Sequence, residues 1–155
     1  METERLIGHD LFQFLRPDQI KTISDMAERI SLKAGDTVFQ RGDKAEDLYI
    51  VLAGRVALRL PSKAGVSFLV DEVGDDAVFG SCICFQIDSY TLTAQCVEDS
   101  TLLKIKAESL KKVMEEDMVV GYAVQTLISR VYFKRYIDTM HKLQAILGNF
   151  PLEAG

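Results

Sequence analysis

LKAGDTVFQRGDKAEDLYIVLAGRVALRLPSKAGVSFLVDEVGDDAVFGS, residues 32–81, breaks short apolar runs with Gly35, Gly42, Gly54 and Gly80. The runs Thr37-Val38-Phe39-Gln40, Leu48-Tyr49-Ile50-Val51-Leu52, Arg55-Val56-Ala57-Leu58-Arg59-Leu60 and Ser67-Phe68-Leu69-Val70 are rich in β-branched or aromatic residues. Each is bounded by Gly, Asp, Pro or Ser, the composition of strands joined by turns. Further on, Thr91 to Val97 and Thr101 to Ile105 repeat the pattern. Many short strands with frequent turns predict an antiparallel barrel or sandwich. Ala53-Gly54-Arg55 reads as a tight hairpin, with glycine supplying a positive φ.

Helical signals flank this stretch. On its N-terminal side, Asp10 caps a short turn carrying Leu11, Phe12 and Leu15, and Pro17 stands where a helix start tolerates a missing N–H. Ile20, Ile23, Met26, Ala27 and Ile30 then recur at helical spacing, predicting a docking helix that reaches Ile30. On the C-terminal side, Ala107 to Glu116 reads as a short helix. A second helix, from about Met118 to Leu147, is free of proline, closes at Gly148 and is followed by Pro151. Roughly 30 residues at 1.5 Å each span about 45 Å, more than the width of one small barrel.

The apolar residues of that helix occupy more than one face. They are Val120, Val124, Leu127, Ile128, Val131, Tyr132, Tyr136, Met140, Leu143 and Leu147. One face can cover the barrel while another meets a second copy, and Val120, Val124, Leu127 and Val131 are the candidate dimerisation residues. Steps of four dominate the series, so it is no strict heptad. Acidic Glu115, Glu116 and Asp117 precede the helix, and Arg130, Lys134, Arg135 and Lys142 follow in its later half, which suits the helix dipole.

At 155 residues the chain fits a single domain. Residues 1–30 are expected to carry N-terminal helices, 31–106 the strands and 107–148 the C-terminal helices. Hydrophobic residues at 48% and charged residues at 26% are ordinary globular values. No apolar run of about 18 residues occurs, and Met1 to Arg5 lack the basic start and apolar centre of a secretory signal. A cytoplasmic location without membrane contact is the expectation. The net charge of −5 opposes non-specific attraction to nucleic acid. Cys82, Cys84 and Cys96 form no disulfide framework. Together with distant His9 and His141 they lack the ligand spacing of a metal site. No nucleophile with its base, no telling carboxylate pair and no P-loop is present, so no enzyme activity, metal or cofactor is expected.

Leu32-Lys33-Ala34-Gly35-Asp36, Arg41-Gly42-Asp43, Leu48 to Val56 and Val78-Phe79-Gly80, in the order helix, strands, short helix, long helix, together resemble the cyclic nucleotide-binding domain family. This is the sensor module of bacterial catabolite activator proteins, kinase regulatory subunits and gated ion channels. The resemblance implies an antiparallel eight-stranded β-roll, a double-stranded β-helix of jelly-roll type, mainly β with flanking helices. It also implies a ligand site on the segment after Phe79-Gly80, where backbone N–H groups face a cyclic phosphate. In nucleotide-binding members a Glu directly after that Gly holds the ribose hydroxyl, and an Arg about ten residues on pairs with the phosphate.

This chain departs from that pattern. Ser81 stands in place of the Glu and Tyr90 in place of the Arg, followed by Thr91. No Lys or Arg occurs between Lys63 and Lys104, whereas Asp71, Glu72, Asp75, Asp76, Asp88, Glu98 and Asp99 do. A cyclic nucleotide is therefore disfavoured. Losing both charge-assisted contacts costs about a hundredfold or more in affinity. The candidate ligand residues are Phe79, Gly80, Ser81, Cys82, Tyr90 and Thr91, with Tyr132, Arg135 and Tyr136 approaching from the long helix. A phenol at position 90 either hydrogen-bonds a ligand or plugs the pocket.

The function expected is a non-catalytic regulatory or sensor module, a homodimer that responds to a small ligand other than a conventionally bound cyclic nucleotide and acts on an unidentified protein partner. Two alternatives stay open. One is a genuine cyclic AMP or cyclic GMP binder using backbone amides and long-helix residues. The other is an interaction module whose pocket is filled by its own side chains. A helix-turn-helix would lie beyond the long helix, and these residues contain none, so direct DNA binding is not expected.

Overall fold

In the computed structural model, residues 15–81 and 86–148 are described. Eight strands form two antiparallel sheets: β1 Ala27–Leu32, β2 Thr37–Phe39, β3 Asp47–Ala53, β4 Val56–Pro61, β5 Ser67–Val73, β6 Val78–Phe79, β7 Thr93–Cys96 and β8 Ser100–Lys106. One sheet runs β1-β8-β3-β6 and the other β2-β7-β4-β5. This is the jelly-roll arrangement that the resemblance implied. Among the described residues three helices flank it: α1 Pro17–Asp25, α2 Ala107–Glu116 and α3 Met118–Leu147. The turn read at residues 10–14 lies outside the described residues.

Strand β3 shows how the layers are organised, because both of its faces are buried. Leu48, Ile50 and Leu52 point to one cluster with Ile20 and Ile23 of α1, Leu110 of α2 and Ile128 of α3. Tyr49 and Val51, one residue out of phase, enter a second cluster with Val56, Leu58 and Ala94 of the other sheet. Successive side chains of a strand alternate between faces. The first sheet is therefore the middle layer, between helices and the second sheet.

Two local expectations are corrected. The helix expected to reach Ile30 ends at Asp25, where the Met26 N–H bonds the Ile23 carbonyl at 3.1 Å. From Ala27 onward every residue pairs with β8, Ala27 against Ile105 through Leu32 against Ser100. Met26, Ala27 and Ile30 satisfy helical spacing by coincidence, and the full-length partner strand decides the matter. Nor is Ala53-Gly54-Arg55 a hairpin. Strands β3 and β4 belong to different sheets, so the glycine marks a crossing. Gly54 has φ 106°, and a Cβ there would stand 2.3 Å from Ser100 Oγ. Glycine is required by that close approach as much as by the dihedral.

Asp117 joins α2 to α3. Its carboxylate accepts from the N–H groups of Val119 at 3.1 Å and Val120 at 3.4 Å, capping α3. The buried Gln19 of α1 donates to the same carboxylate. That bond, aided by the two cap bonds and Arg16, holds the Asp117 carboxyl below its ordinary range.

The candidate dimerisation residues need revision. Val120 and Val124 are fully buried in the chain's own core, beside Ala123 and Ile128. Leu127 packs against that core and Val131 lines a cleft toward the roll. The opposite side of α3 exposes Tyr122, Phe133, Tyr136, Met140, Leu143 and Leu147. With Thr126 and Ser129 these positions alternate in steps of four and three from 122 to 147, a heptad stripe. The inward residues, spaced by four, had masked it.

Candidate ligand site

The cassette position is occupied by aromatic side chains. Tyr90, 4% exposed, stacks on Phe39 with ring centroids 3.6 Å apart and planes inclined by 11°. Tyr49 and Phe79 stack beside them, their centroids 5.3 Å apart. Gly80 seats against this cluster with φ 75°, and an added Cβ would meet Phe39 and Tyr49 at 3.2 Å.

Tyr90 is fixed by backbone as well as by rings. Its N–H donates to Asp43 O at 2.9 Å and its carbonyl accepts from Gly42 N–H at 2.8 Å. Its phenol donates to Asp47 O at 2.7 Å and accepts from Asp47 N–H at 3.1 Å. Every polar atom of the residue is thus used inside the protein, as a buried tyrosine requires. Burial, with Tyr90 and Asp47 adjacent, pushes the Tyr49 phenol well above its ordinary pKa.

Among the described residues a small cavity adjoins these rings. It measures about 50 Å³ and is bounded by Phe39, Leu58, Gly80, Tyr90, Thr91, Leu92, Tyr132 and Arg135. Of the candidate residues, the structure brings Gly80, Tyr90, Thr91, Tyr132 and Arg135 together around this cavity. Phe79 and Ser81 are buried beside them. Tyr136 is not part of the group, because it projects on the exposed side of α3 and packs against Phe133. Cys82 lies outside the described residues, as does Cys84. Phe39, Tyr49, Leu58 and Leu92 were not anticipated. Their strand positions carried a burial signal, but nothing in the order of residues marked them as neighbours of Tyr90.

Positive charge reaches this region from α3. Arg135, whose side chain is 10% exposed, donates from Nε to Asp71 Oδ2 at 3.1 Å, and its Cζ lies 5.3 Å from the Tyr132 ring centroid. Cys96 is buried in the second cluster, and burial raises its thiol pKa. Its protonated form is thus favoured. Among the described residues no group of three His, Cys, Asp or Glu side chains is placed to hold a metal. No helix among them is long and apolar enough to cross a membrane.

The sequence profile described as "Cyclic nucleotide-binding domain" matches residues 29–117, more than half of the chain and all of the strand region but the first two residues of β1. The chain belongs to the cyclic nucleotide-binding domain family. It is 24% identical over 123 residues to the cyclic AMP receptor protein of Thermus thermophilus, covering 79% of this chain and 57% of that protein. It thus spans little more than half the length of that relative. Among solved structures, a protein from Geobacter metallireducens described as cyclic nucleotide-binding superposes with a TM-score of 0.78 at 24% identity, over 88% of this chain and 98% of the other. The sensor domain of the transcriptional regulator DNR from Pseudomonas aeruginosa gives a TM-score of 0.75 at 19% identity, over 99% and 96%. Both likenesses show the same fold.

Proposed function

We propose that this chain is a non-catalytic regulatory module whose effector is a small molecule other than a conventionally seated cyclic nucleotide. The observation that carries this reading is Tyr90. At the position of the family's phosphate-pairing arginine stands a buried ring, stacked on Phe39 and hydrogen-bonded through its phenol to Asp47. Cyclic AMP would have to displace that ring and would find no guanidinium in its place. The effector acts by preferring one arrangement of α3 against the roll, and so shifts the population of the two.

Calorimetry with cyclic AMP and cyclic GMP tests the reading. Affinity is expected to be at least about a hundredfold below that of a site with both charged contacts intact. Micromolar binding of either nucleotide to the wild-type chain overturns it. The double variant Ser81→Glu with Tyr90→Arg removes the plug and restores both contacts, and it should gain nucleotide affinity.

The module works as a homodimer in this reading, joined along the Tyr122 to Leu147 stripe of α3 as a parallel coiled coil. A cytoplasmic protein partner reads out the helix position. A second reading, a dimerisation module with no effector, is favoured by the cavity of only about 50 Å³ under Tyr90. Native mass spectrometry of the purified dimer separates the two, since a retained small molecule is incompatible with an empty, self-filled domain.

A further inference from the structure

Beyond the filled cassette, a cleft of about 540 Å³ opens between β5, the β5–β6 turn and α3. Its apolar wall is made by Val73, Ala77, Val78, Leu127, Ile128 and Val131. The volume is in the range of small-molecule sites, roughly 300 to 1,000 Å³, and the apolar lining with few polar groups is their usual character. The cleft lies on the roll-facing side of α3, away from the exposed heptad stripe, so pairing of two helices along that stripe leaves it open.

Arg135 lines this cleft as well as the small cavity. One of its terminal nitrogens, Nη2, is buried and has no hydrogen-bond partner among the described residues, although Nε of the same group is paired with Asp71. A buried charged donor left unmet is costly, and such a group in a native fold calls for an acceptor. The guanidinium is held in place by Asp71 at one edge and by the Tyr132 ring at 5.3 Å. Its position is therefore fixed. A planar carboxylate is the acceptor that fits such a fork best.

The charges around the cleft narrow the class further. Asp71, Glu72, Asp76 and Asp138 line the cleft together with Arg130, Lys134 and Arg135, four carboxylates and three cations. Such a lining disfavours a polyanion and tolerates a single negative charge placed on Arg135. The apolar wall meanwhile asks for a hydrocarbon or aromatic body.

We infer that this cleft binds a small organic monoacid, its carboxylate on Arg135 and its apolar body against Val73, Val78, Leu127 and Val131. The inference rests on the reading of the module as a sensor with a closed cassette, and it supplies the missing effector class. The bound acid would stand between β5 and α3. These elements are tied by Arg135 to Asp71 and by Lys142 Nζ to the Val70 carbonyl at 2.9 Å. Occupancy would thus act directly on the seating of the long helix.

Amide NMR titration of the 155-residue chain tests this, with benzoate, phenylacetate and hexanoate as probes and the corresponding neutral amides and inorganic phosphate as controls. The carboxylates are expected to move signals of residues 71–78 and 127–138, and the controls to leave them in place. Arg135→Gln should weaken the binding about tenfold or more, the scale of one charge-assisted contact. Arg135→Lys keeps the charge but loses the fork and should weaken it too, which serves if the glutamine variant does not fold. Silence of all three acids, equal response to the neutral amides, or unchanged affinity in the Arg135 variants overturns the cleft site. Micromolar cyclic AMP binding overturns the closed cassette instead, so the two readings fail separately.

Discussion

At the scale of single residues, Tyr90 and Gly54 carry the most structural consequence. Tyr90→Phe keeps the stack on Phe39 and removes only the phenol oxygen, leaving the Asp47 N–H and carbonyl without it. The expected cost is about 1–3 kcal/mol in urea denaturation, the range for a buried polar group deprived of its partner. Unchanged stability would mean that water serves Asp47 as well as the phenol does. Gly54→Ala places a methyl 2.3 Å from Ser100 Oγ and 2.7 Å from Asp99 O at a φ of 106°. A loss above about 1 kcal/mol is expected, because neither the backbone nor the neighbouring chain can yield cheaply. The sequence showed that position 90 was anomalous and left two readings of it, ligand contact or plug. The choice depended on Phe39, which is 51 positions away in the chain and becomes its neighbour only through folding. Arg135 was visible as a cation able to reach the site. Its pairing with Asp71 and its unmet nitrogen are properties of side-chain placement, and no spacing rule reveals them.

At the scale of elements, α3 depends on how it is started and where it is buried. Asp117 caps it and is tied to Gln19 of α1, so its carboxyl is held below the ordinary range by the Gln19 bond first and the cap bonds after it. The Asp99 carboxyl is likewise lowered, chiefly by the Ala34 N–H and then by Lys33. A carboxyl whose pKa is depressed in the folded state contributes stability above its unfolded pKa, and that contribution is lost as pH falls through the folded value. Thermal stability should therefore hold at pH 5–7 and decline below about pH 4, where free aspartates begin to protonate. Asp117→Asn should flatten that decline when melting is followed by circular dichroism, and an identical acid profile would remove Asp117 as a cause. Ile128→Ala, in the core between α3 and the roll, should cost about 2–5 kcal/mol. Element types were mostly legible because β-branched runs and a long proline-free stretch leave few options. The ends were not: residues 26–30 fit both periods, and only pairing with β8 decides between them.

For the whole molecule, the two faces of α3 predict two different failures. Met140→Asp, on the exposed stripe, should convert a dimer to a folded monomer in analytical ultracentrifugation while leaving circular dichroism intact. Val124→Asp, in the core, should unfold the chain instead. A wild-type chain that sediments as a monomer at high concentration would discard the dimer altogether. The order of strands has one more consequence, for the time course of folding. In the sheet β1-β8-β3-β6 the last strand to be made lies between the first and the third, and β1 has no other partner in that sheet. A nascent chain ending before Ser100 therefore holds β1 and β3 with nothing between them, and cannot close its middle layer by local hairpins. Pairings this distant raise contact order and slow folding toward the millisecond-to-second range. Synthesis must pass Lys106 before the roll can lock, so a ribosome that stalls earlier leaves these apolar strands open to chaperones or to aggregation.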